Sequence, residues 1–231
     1  MIQISNLSKK YGETVVFSDL NYTFENACIY GLVGRNGAGK TTLLNILSNY
    51  DKNYTGVISI DRKKMNKVDY LDMPVAYAMD QPSFFNELTI YENLLLIASS
   101  RKIKKQEAFD KSERILDGLG LKKYENYSPL ELSKGTMQRL NNACAMIQEE
   151  KITIFDEPFS GLDPVQMKLL ENVIVEFHKK EKGIYIISSH DIECLQNVCD
   201  KCLLLHNGQI REINMEEVDR EEIAKILSEG E

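Results

Sequence analysis

A glycine-rich loop is the first feature of this sequence that could do chemistry. Residues 34–41 read Gly-Arg-Asn-Gly-Ala-Gly-Lys-Thr and fit the phosphate-loop pattern G-x-x-x-x-G-K-[ST]. Glycines at these positions let the backbone curl so that successive N–H groups point at a phosphate. We expect Lys40 to reach the β- and γ-phosphate oxygens and Thr41 to bind Mg²⁺. A glycine turn that only caps an ordinary helix is the alternative interpretation.

The elements that must hold this loop are visible on either side of it. The apolar run at residues 28–33 ends where the loop begins, and the leucines of residues 41–47 recur at helical spacing. A phosphate loop requires strand, loop and helix in that order, because the helix N-terminus completes the anion site. The context therefore favours phosphate binding over a simple turn.

An acidic pair, Asp156 and Glu157, follows a second apolar run at residues 152–155. A carboxylate at the end of a buried strand needs a compensating cation, and Mg²⁺ would supply one. We expect Asp156 to bind the metal and Glu157 to be the base, or the group that positions water, for attack on a γ-phosphate. Taken alone, such a pair is more often a solvated turn or a helix cap. The phosphate loop reverses that preference.

Length, charge and hydropathy narrow the class of protein. The chain has 231 residues, of which 43% are hydrophobic, and a formal charge of -7. This acidic balance argues against a generally basic surface, so we predict no nucleic-acid partner. No apolar stretch approaches the roughly 20 residues of a membrane-spanning helix, and residues 1–10 lack the apolar centre of a signal peptide. We expect a cytoplasmic protein.

The five cysteines allow two interpretations. In a chain without an export signal they are expected to be free thiols, buried as small apolar groups. Cys194, Cys199 and Cys202 nevertheless have the spacing of three plant-type iron–sulfur ligands, with His190 and His206 nearby. A strand through this segment would turn alternate residues to opposite faces, and no fourth cysteine is close in sequence. Free thiols are therefore favoured.

Apolar periodicity divides the chain into three parts. Short β-rich runs up to about Asp61, at residues 2–4, 22–24 and 28–33, predict a sheet that is assembled early. Residues 88–150 change to helical spacing, which predicts an inserted helical segment with helices at 88–99, 105–119 and 133–148. Strand-like runs then return at 152–155, 184–188 and 202–205.

A helix expected at residues 163–180 alternates with these last strands, which predicts a parallel sheet covered by helices. Asn207 and Gly208 indicate a hairpin that leads into a strand at 209–213. Residues 215–231 are acidic and are predicted to form a terminal surface helix.

Residues 132–139 read Leu-Ser-Lys-Gly-Thr-Met-Gln-Arg and resemble the signature Leu-Ser-Gly-Gly-Gln of the ATP-binding-cassette (ABC) family. The phosphate loop, this segment and the acidic pair follow one another in the family's order, and the resemblance covers nearly the whole chain. It implies an α/β fold with a P-loop NTPase core, a mostly parallel sheet, an N-terminal antiparallel β subdomain and an inserted helical subdomain. Residues 1–231 would form a single ABC ATPase domain, with 1–81 and 151–231 as the ATP-binding core and 82–150 as the helical subdomain.

The resemblance also implies roles for residues outside the phosphate loop. Ser133 and Gly135 would hold the γ-phosphate of ATP bound to the opposite subunit, at the N-terminus of a helix. Gln81 would contact Mg²⁺ and water, His190 would contact the γ-phosphate, and Tyr11 would stack on adenine. Residues 160–163 would cross the dimer interface. Helix capping is the alternative for Ser133, a turn whose Asp163 caps the next helix is the alternative for residues 160–163, and packing is the alternative for Tyr11.

The motifs and the resemblance together define the predicted site, with ATP and Mg²⁺ as cofactors. The predicted catalytic residues are Glu157, His190 and Lys40. The predicted metal ligands are Thr41, Gln81 and Asp156. The residues predicted to bind ATP are Tyr11, Val16, Asn36, Gly37, Ala38, Gly39, Lys40, Thr41, Thr42, Gln81, Ser133 and Gly135.

The leading hypothesis is the ATP-binding subunit of an ABC transporter, working as a homodimer or heterodimer. It would drive a separate membrane-embedded permease and lie on the inner face of the cell membrane through that partner. Lys134 and Thr136 depart from the usual signature and resemble variants of exporters, so export is favoured. Candidate contacts with the permease, which could equally be core residues, are Phe84, Phe85 and Leu88.

Two alternatives remain open at the level of sequence. A soluble ABC ATPase could act in metal-cluster or other assembly, although the span between Lys40 and Asp156 leaves no room for a long coiled-coil arm. A regulatory subunit could bind ATP without hydrolysing it. Glu157 argues against that second alternative, because a subunit that only binds ATP does not need this carboxylate.

Overall fold

Two sheets and the helices that cover them make up the computed structural model, which describes residues 1–68, 72–190 and 192–214. The strands are Ile2–Tyr11 (β1), Thr14–Phe24 (β2), Cys28–Val33 (β3), Thr55–Ile60 (β4), Lys63–Lys64 (β5), Val75–Ala78 (β6), Ile152–Phe155 (β7), Ile184–Ser189 (β8), Lys201–His206 (β9) and Gln209–Ile213 (β10). The α-helices are Lys40–Leu47 (α1), Ile90–Ser100 (α2), Lys105–Gly118 (α3), Lys134–Met146 (α4), Pro164–Glu181 (α5) and Glu193–Gln196 (α6).

The larger sheet has the strand order β10-β9-β3-β8-β7-β6. Strands β9, β3, β8, β7 and β6 are parallel, and β10 pairs antiparallel with β9 at one edge. All residues of β3 are buried, because helices and the smaller sheet cover both faces of this central strand. The predicted α/β fold with a mostly parallel sheet is therefore confirmed.

The register of the parallel strands brings three chain segments to one edge of the sheet. Val33 pairs with Ser189, and Phe155 pairs with Ile187. The glycine-rich loop, the acidic pair and His190 follow these strands directly, so they emerge side by side. Ligands of open α/β sheets bind at this edge, beyond the carboxyl ends of the strands.

Two apolar cores lie on opposite faces of the larger sheet, because alternate side chains of a strand point to opposite sides. Phe155 and Ile187 belong to the core that includes residues of α2, α3, α4 and α5. Ile154 and Ile186 belong to the core that includes α1 and the smaller sheet. The two faces thus attach the helical segment and the N-terminal strands to the same central strands.

The smaller sheet is antiparallel and has the order β2-β1-β4-β5. This arrangement confirms the N-terminal antiparallel β subdomain. The sequence patterns at residues 2–4 and 22–24 are only parts of the long strands β1 and β2, and no pattern singled out β4. Register shifts in the pairing of β1 with β2 interrupt the alternation of buried and exposed side chains along these strands. The sequence pattern therefore predicted them too short.

Three of the helices begin at residues whose side chains cap them. Thr89 caps α2 in a capping box with Glu92, Ser133 caps α4, and Asp163 caps α5 ahead of Pro164. The four helices predicted between residues 88 and 180 are confirmed, with ends that differ by about two residues at most.

The hairpin predicted near the C-terminal part of the chain is also confirmed. Asn207 and Gly208 have φ values of 48° and 71°. Two successive residues with positive φ form the turn that suits a two-residue hairpin, here between β9 and β10. The helix predicted at residues 215–231 lies outside the described residues.

A buried ammonium group ties α3 to α5. Lys111 is 1% exposed, and its Nζ lies 2.6 Å from Glu149 Oε1 and 3.1 Å from Glu181 Oε1. The Tyr185 hydroxyl donates to the other oxygen of Glu181 at 2.6 Å. A buried charge is tolerated only when it is paired in this way. The cluster therefore links two helices and the turn before β7.

Replacement of Lys111 by methionine should lower the free energy of unfolding by about 3 kcal/mol, because Glu181 would lose its buried cation. Ser112→Ala is the control on the same helix turn. The Ser112 hydroxyl is fully buried and has no hydrogen-bond partner among the described residues, so its removal should be neutral or stabilising. Urea unfolding followed by circular dichroism measures both changes. A Lys111→Met protein as stable as the wild type would contradict this account.

Candidate functional site

The glycine-rich loop connects β3 to α1 in a conformation that requires glycine at two positions. Gly37 and Gly39 have φ values of 82° and 100°, which other residues rarely adopt. A Cβ atom on Gly39 would lie 2.7 Å from Cγ1 of Val16. Gly39 is also the residue that precedes α1. The loop therefore delivers its backbone and the N-terminus of α1 to the same place, as a phosphate site requires.

Lys40 lies folded over the loop. Its Nζ donates to Gly34 O at 2.6 Å and lies 3.7 Å from Glu157 Oε1, and the side chain is 7% exposed. Burial lowers the pKa of Lys40, while the carboxylates of Glu157 and Asp156 act in the opposite direction. The ammonium group is thus held between the loop carbonyl and the acidic pair, within reach of an anion that enters the loop.

Asp156 is 1% exposed at the end of β7 and is held by two hydroxyl groups. The Ser188 hydroxyl donates to Oδ1 at 2.5 Å, and Tyr77 Oη lies 3.3 Å from Oδ2. Burial, followed by the nearby carboxylate, raises the pKa of Tyr77 above its ordinary range, so its hydroxyl stays protonated. Each carboxylate oxygen keeps a second lone pair for a cation.

Glu157 occupies a strained turn directly after Asp156. Its φ is 49°, in the left-handed region, and its N–H donates to Ser188 Oγ at 2.9 Å. Its carboxylate Oε2 lies 2.9 Å from Nδ1 of His190. The side chain of His190 is 62% exposed. The predicted catalytic residues Lys40, Glu157 and His190 therefore form one contiguous group.

An open cavity of ≈ 460 Å³ lies beside these residues. It is lined by Tyr11, Thr14, Val16, Arg35, Asn36, Gly37, Gly39, Lys40, Thr41, Thr42, Asp80, Asp156 and Glu157. The loop residue Ala38 stands in the turn of the glycine-rich loop, where its N–H donates to Arg35 O at 3.0 Å. The structure thus gathers most of the predicted residues of one chain around one cavity.

Three lining residues were missed by sequence reasoning, namely Thr14, Arg35 and Asp80. Arg35 lies inside the phosphate-loop pattern at a position that accepts any residue. Asp80 directly precedes Gln81, which is exposed and is not part of the cavity lining. The assignment of Gln81 to the metal therefore stays a prediction. Asp80 could have been predicted as a site residue, because it follows the end of strand β6 closely, at the same edge of the sheet.

Tyr11 stands at the rim of the cavity with 52% of its surface exposed. Its hydroxyl donates to Asp51 Oδ2 at 3.0 Å, and Lys9 Nζ lies 4.4 Å from the ring centre. Burial raises the pKa of Asp51, but hydrogen bonds from Lys9, the Asn53 N–H and Tyr11 outweigh it and keep that pKa below its ordinary value. The ring is therefore fixed by its hydroxyl while it remains exposed at the rim.

Ser133 and Gly135 lie away from this cavity, at the N-terminus of α4. The Ser133 side chain is exposed and accepts from the Thr136 N–H at 3.3 Å. A Cβ atom on Gly135 would lie 3.0 Å from Gly161 O, so this helix end packs closely on the loop that precedes α5. The structure does not bring Ser133 and Gly135 to the phosphate loop of their own chain.

The donors at the cavity fit Mg²⁺ bound together with phosphates. Thr41 supplies an exposed hydroxyl and Asp156 a carboxylate, which are hard oxygen ligands. Among the described residues, no three His, Cys, Asp or Glu side chains are grouped so that they could hold a metal ion. Mg²⁺ typically binds through one or two protein groups and completes its shell with substrate phosphates and water.

In the cysteine segment, Cys202 is buried, and Cys194 and Cys199 are partly buried. None of the five cysteines, which all lie among the described residues, forms a disulfide bond. Burial raises the pKa of Cys202 to about 12 and that of Cys199 well above its ordinary value, so both stay protonated. Among the described residues, the cysteines and histidines of this segment are not grouped so that three of them could hold a metal ion, which favours packing over an iron–sulfur site. His178 is buried against Tyr185 at a ring distance of 5.0 Å.

Comparison with known proteins identifies the family. The sequence model of the ABC transporter family matches residues 17–160. An uncharacterised ABC transporter ATP-binding protein of Methanocaldococcus jannaschii, MJ1023, is 31% identical over 90% of this chain and 75% of its own length. The tungstate uptake system ATP-binding protein TupC of Peptoclostridium acidaminophilum is 30% identical over 91% of this chain and 97% of its own length.

The fold gives the same result. A solved structure of the ATP-binding subunit of an ABC transporter superposes with a TM-score of 0.85 at 26% identity, covering 99% of this chain and 95% of the other. The phosphate loop, the acidic turn and the signature-like helix are thus found in the fold that such subunits adopt. The chain belongs to the ATP-binding subunits of the ABC transporter family, which are ATPases.

Proposed function

We propose that this chain hydrolyses Mg-ATP within a dimer and that closure and opening of the dimer drive transport through a separate membrane subunit. One observation carries the proposal. Lys40, Asp156 and Glu157 meet at one cavity, whereas the N-terminus of α4 is exposed outside it. This placement supports the proposal that the α4 N-terminus of a second subunit completes the site.

In the proposed site, the glycine-rich loop and the N-terminus of α1 bind the phosphates. Lys40 leaves Gly34 O and pairs with the β- and γ-phosphate oxygens. Thr41 and Asp156 would hold Mg²⁺, with Gln81 as a further predicted ligand, and the metal would neutralise charge on the phosphates. Displacement of Lys40 toward the phosphates also releases one oxygen of Glu157.

Glu157 is proposed to accept a proton from the attacking water or to orient it, and His190 to steady the Glu157 carboxylate and the γ-phosphate. Their 2.9 Å contact brings the imidazole next to a carboxylate that lines the cavity. A carboxylate within hydrogen-bond reach of the water is the geometry that general base catalysis requires.

Dimer formation follows from the placement of Ser133 and Gly135. We propose that these residues close over the γ-phosphate of ATP bound to the other subunit, with backbone N–H groups of α4 pointing at the anion. Residues 160–163 pack against this helix end and would lie at the same interface. The same surfaces serve a homodimer and a heterodimer.

The helical segment offers a surface for the membrane subunit. Phe84 packs against the core, whereas Phe85 is 59% exposed. The Asn93 side chain bonds both the N–H and the carbonyl of Phe85 at 3.0 Å, so the backbone under the exposed ring is fixed. Of the three candidate contacts, Phe85 is therefore the one we propose to touch the permease, and Leu88 is half-buried beside it.

Export is the direction we propose, because Lys134 and Thr136 resemble the signature variants of exporters. Overall identity does not indicate the direction, since a relative with 30% identity to this chain belongs to a tungstate uptake system. The described residues contain no helix long and apolar enough to cross a membrane. We propose that the chain works at the inner face of the cell membrane, bound to its permease.

Glu157→Gln should slow ATP hydrolysis by at least about 100-fold, because it removes the proposed base without removing the phosphate loop. It should also turn the chain into a stable dimer in the presence of Mg-ATP, since hydrolysis no longer opens the closed state. A phosphate-release assay and size exclusion with light scattering measure the two effects. Glu176→Gln, the same change at an exposed position on α5, is the control and should behave as the wild type.

Two results would argue against the proposal. A wild-type chain that binds ATP without turnover, together with a Glu157→Gln chain that stays monomeric, would favour a sensing role or an obligate partner subunit. Normal turnover by Glu157→Gln would remove Glu157 from the reaction.

Tyr11→Ala should weaken ATP binding about tenfold, because base stacking on an aromatic ring contributes about 1–3 kcal/mol. Tyr11→Phe keeps the ring and loses only the bond to Asp51, so its affinity should stay within about threefold of the wild type. Calorimetric titration with ATP and with inorganic tripolyphosphate separates base contacts from phosphate contacts. An equal loss for both ligands would show that Tyr11 acts through the phosphate loop and not on adenine.

A further inference from the structure

Two amide side chains on one face of α4 hold the carbonyl groups of the acidic turn. Gln138 Nε2 donates to Glu157 O at 3.2 Å, and Asn142 Nδ2 donates to Pro158 O at 3.2 Å. Residues four apart in a helix lie on the same face. The two donors therefore reach two successive carbonyl groups of the turn after β7.

The turn that they hold is conformationally strained. Glu157 has a φ of 49°, a region in which a residue with a side chain is destabilised and persists only when its surroundings hold it. Its N–H is held by Ser188, and its carbonyl by Gln138 and by the Ser160 N–H at 3.1 Å. The direction of the Glu157 side chain depends on this backbone conformation.

The side-chain contacts of Glu157 cannot replace the backbone contacts. His190 is largely exposed, and Lys40 is the group that the proposed ATP phosphates would attract. With nucleotide bound, the aim of the Glu157 carboxylate therefore rests on the backbone of the turn. That backbone is what α4 holds.

An asparagine at position 142 does not favour the stability of the fold. Its side chain is 0% exposed, and its Oδ1 has no hydrogen-bond partner among the described residues. A buried amide with one unpaired oxygen is less favourable than an apolar side chain of the same shape. Within the part of the chain that the structure describes, the bond from its Nδ2 to Pro158 O is the polar contact of this side chain.

We propose that Gln138 and Asn142 are positioning residues for the reaction. By holding the carbonyl groups of Glu157 and Pro158, they fix the left-handed turn that aims the Glu157 carboxylate at the cavity. This inference rests on the proposed role of Glu157 in hydrolysis. Since the same helix begins at Ser133, a shift of its N-terminus reaches Glu157 through these two bonds.

The test uses the full chain with Gln138→Met or Asn142→Leu, changes of similar size that remove the donor. The kcat for Mg-ATP should fall about 10–100-fold, because small misplacements of a catalytic group have effects of that order. The KM for ATP should change by less than about threefold, and the melting temperature should stay within about 4 °C of the wild type. Gln106→Met, at an exposed amide on α3 that bonds Asp110 at 2.9 Å, is the control and should keep its kcat.

Two further measurements separate positioning from folding. In a Glu157→Gln background, Asn142→Leu should lower kcat no further, since the group that it positions is already absent. A crystal structure of nucleotide-free Asn142→Leu should show a Glu157 φ outside the positive region and a carboxylate displaced from Nδ1 of His190. This second readout does not depend on turnover.

The outcomes distinguish the inference from the function on which it rests. Unchanged kcat and an unchanged turn in both variants, with an inactive Glu157→Gln, overturn the positioning role alone. Losses that persist in full in the Glu157→Gln background, or that accompany a large fall in melting temperature, show a structural role and also overturn it. Normal activity of Glu157→Gln itself overturns the proposed role of that carboxylate instead.

Discussion

The parallel register of β3, β8 and β7 is the constraint on which the rest of the structure depends. Because Val33 pairs with Ser189 and Phe155 with Ile187, three loops that are far apart in sequence leave the sheet at one edge. A shift of one residue in any of these strands would move its apolar side chains to the wrong core and its loop residue away from the cavity. The two apolar cores on either face therefore hold the site in register.

Charge balance is the second requirement of this site. Asp156 and Lys40 are almost fully buried, and Glu157 is largely covered, so each charge needs a neighbour of opposite sign or a hydrogen bond. The hydroxyl groups of Ser188 and Tyr77 contact the Asp156 carboxylate. The side chains of Lys40 and His190 contact the Glu157 carboxylate. A phosphate with Mg²⁺ adds charges of both signs and can take over these pairings. The protein is thus arranged so that nucleotide replaces internal contacts.

The helical segment connects this site to surfaces outside the chain. α4 begins at the exposed Ser133, packs on the loop near Gly161, and reaches the acidic turn through Gln138 and Asn142. The same segment exposes Phe85 on a backbone that Asn93 fixes. The helical segment therefore contacts the catalytic turn and carries the proposed dimer interface and the proposed permease surface. Such an arrangement allows a displacement at one of these three surfaces to be transmitted to the other two.

The sequence by itself determined the chemistry and most of the elements. The phosphate loop and the capped helices depend on local residue types, such as Gly39, Lys40 and Asp163, and these patterns survive without knowledge of the fold. The acidic pair was interpretable because it follows a short apolar strand. The full length of β1 and β2 and the presence of β4 were not predicted, because register shifts and exposed residues obscure the alternation of apolar and polar side chains in these strands.

Only the tertiary structure decided which of these residues meet. It placed Asp80 and Arg35 at the cavity, left Gln81 outside its lining, and showed that Phe84 packs against the core while Phe85 is exposed. It also revealed the bonds from α4 to the acidic turn, which join residues about 15–20 positions apart. Such contacts depend on how helices pack against a sheet. Neither a local pattern nor a residue's spacing along the chain encodes that packing, because it arises from the burial of many side chains at once.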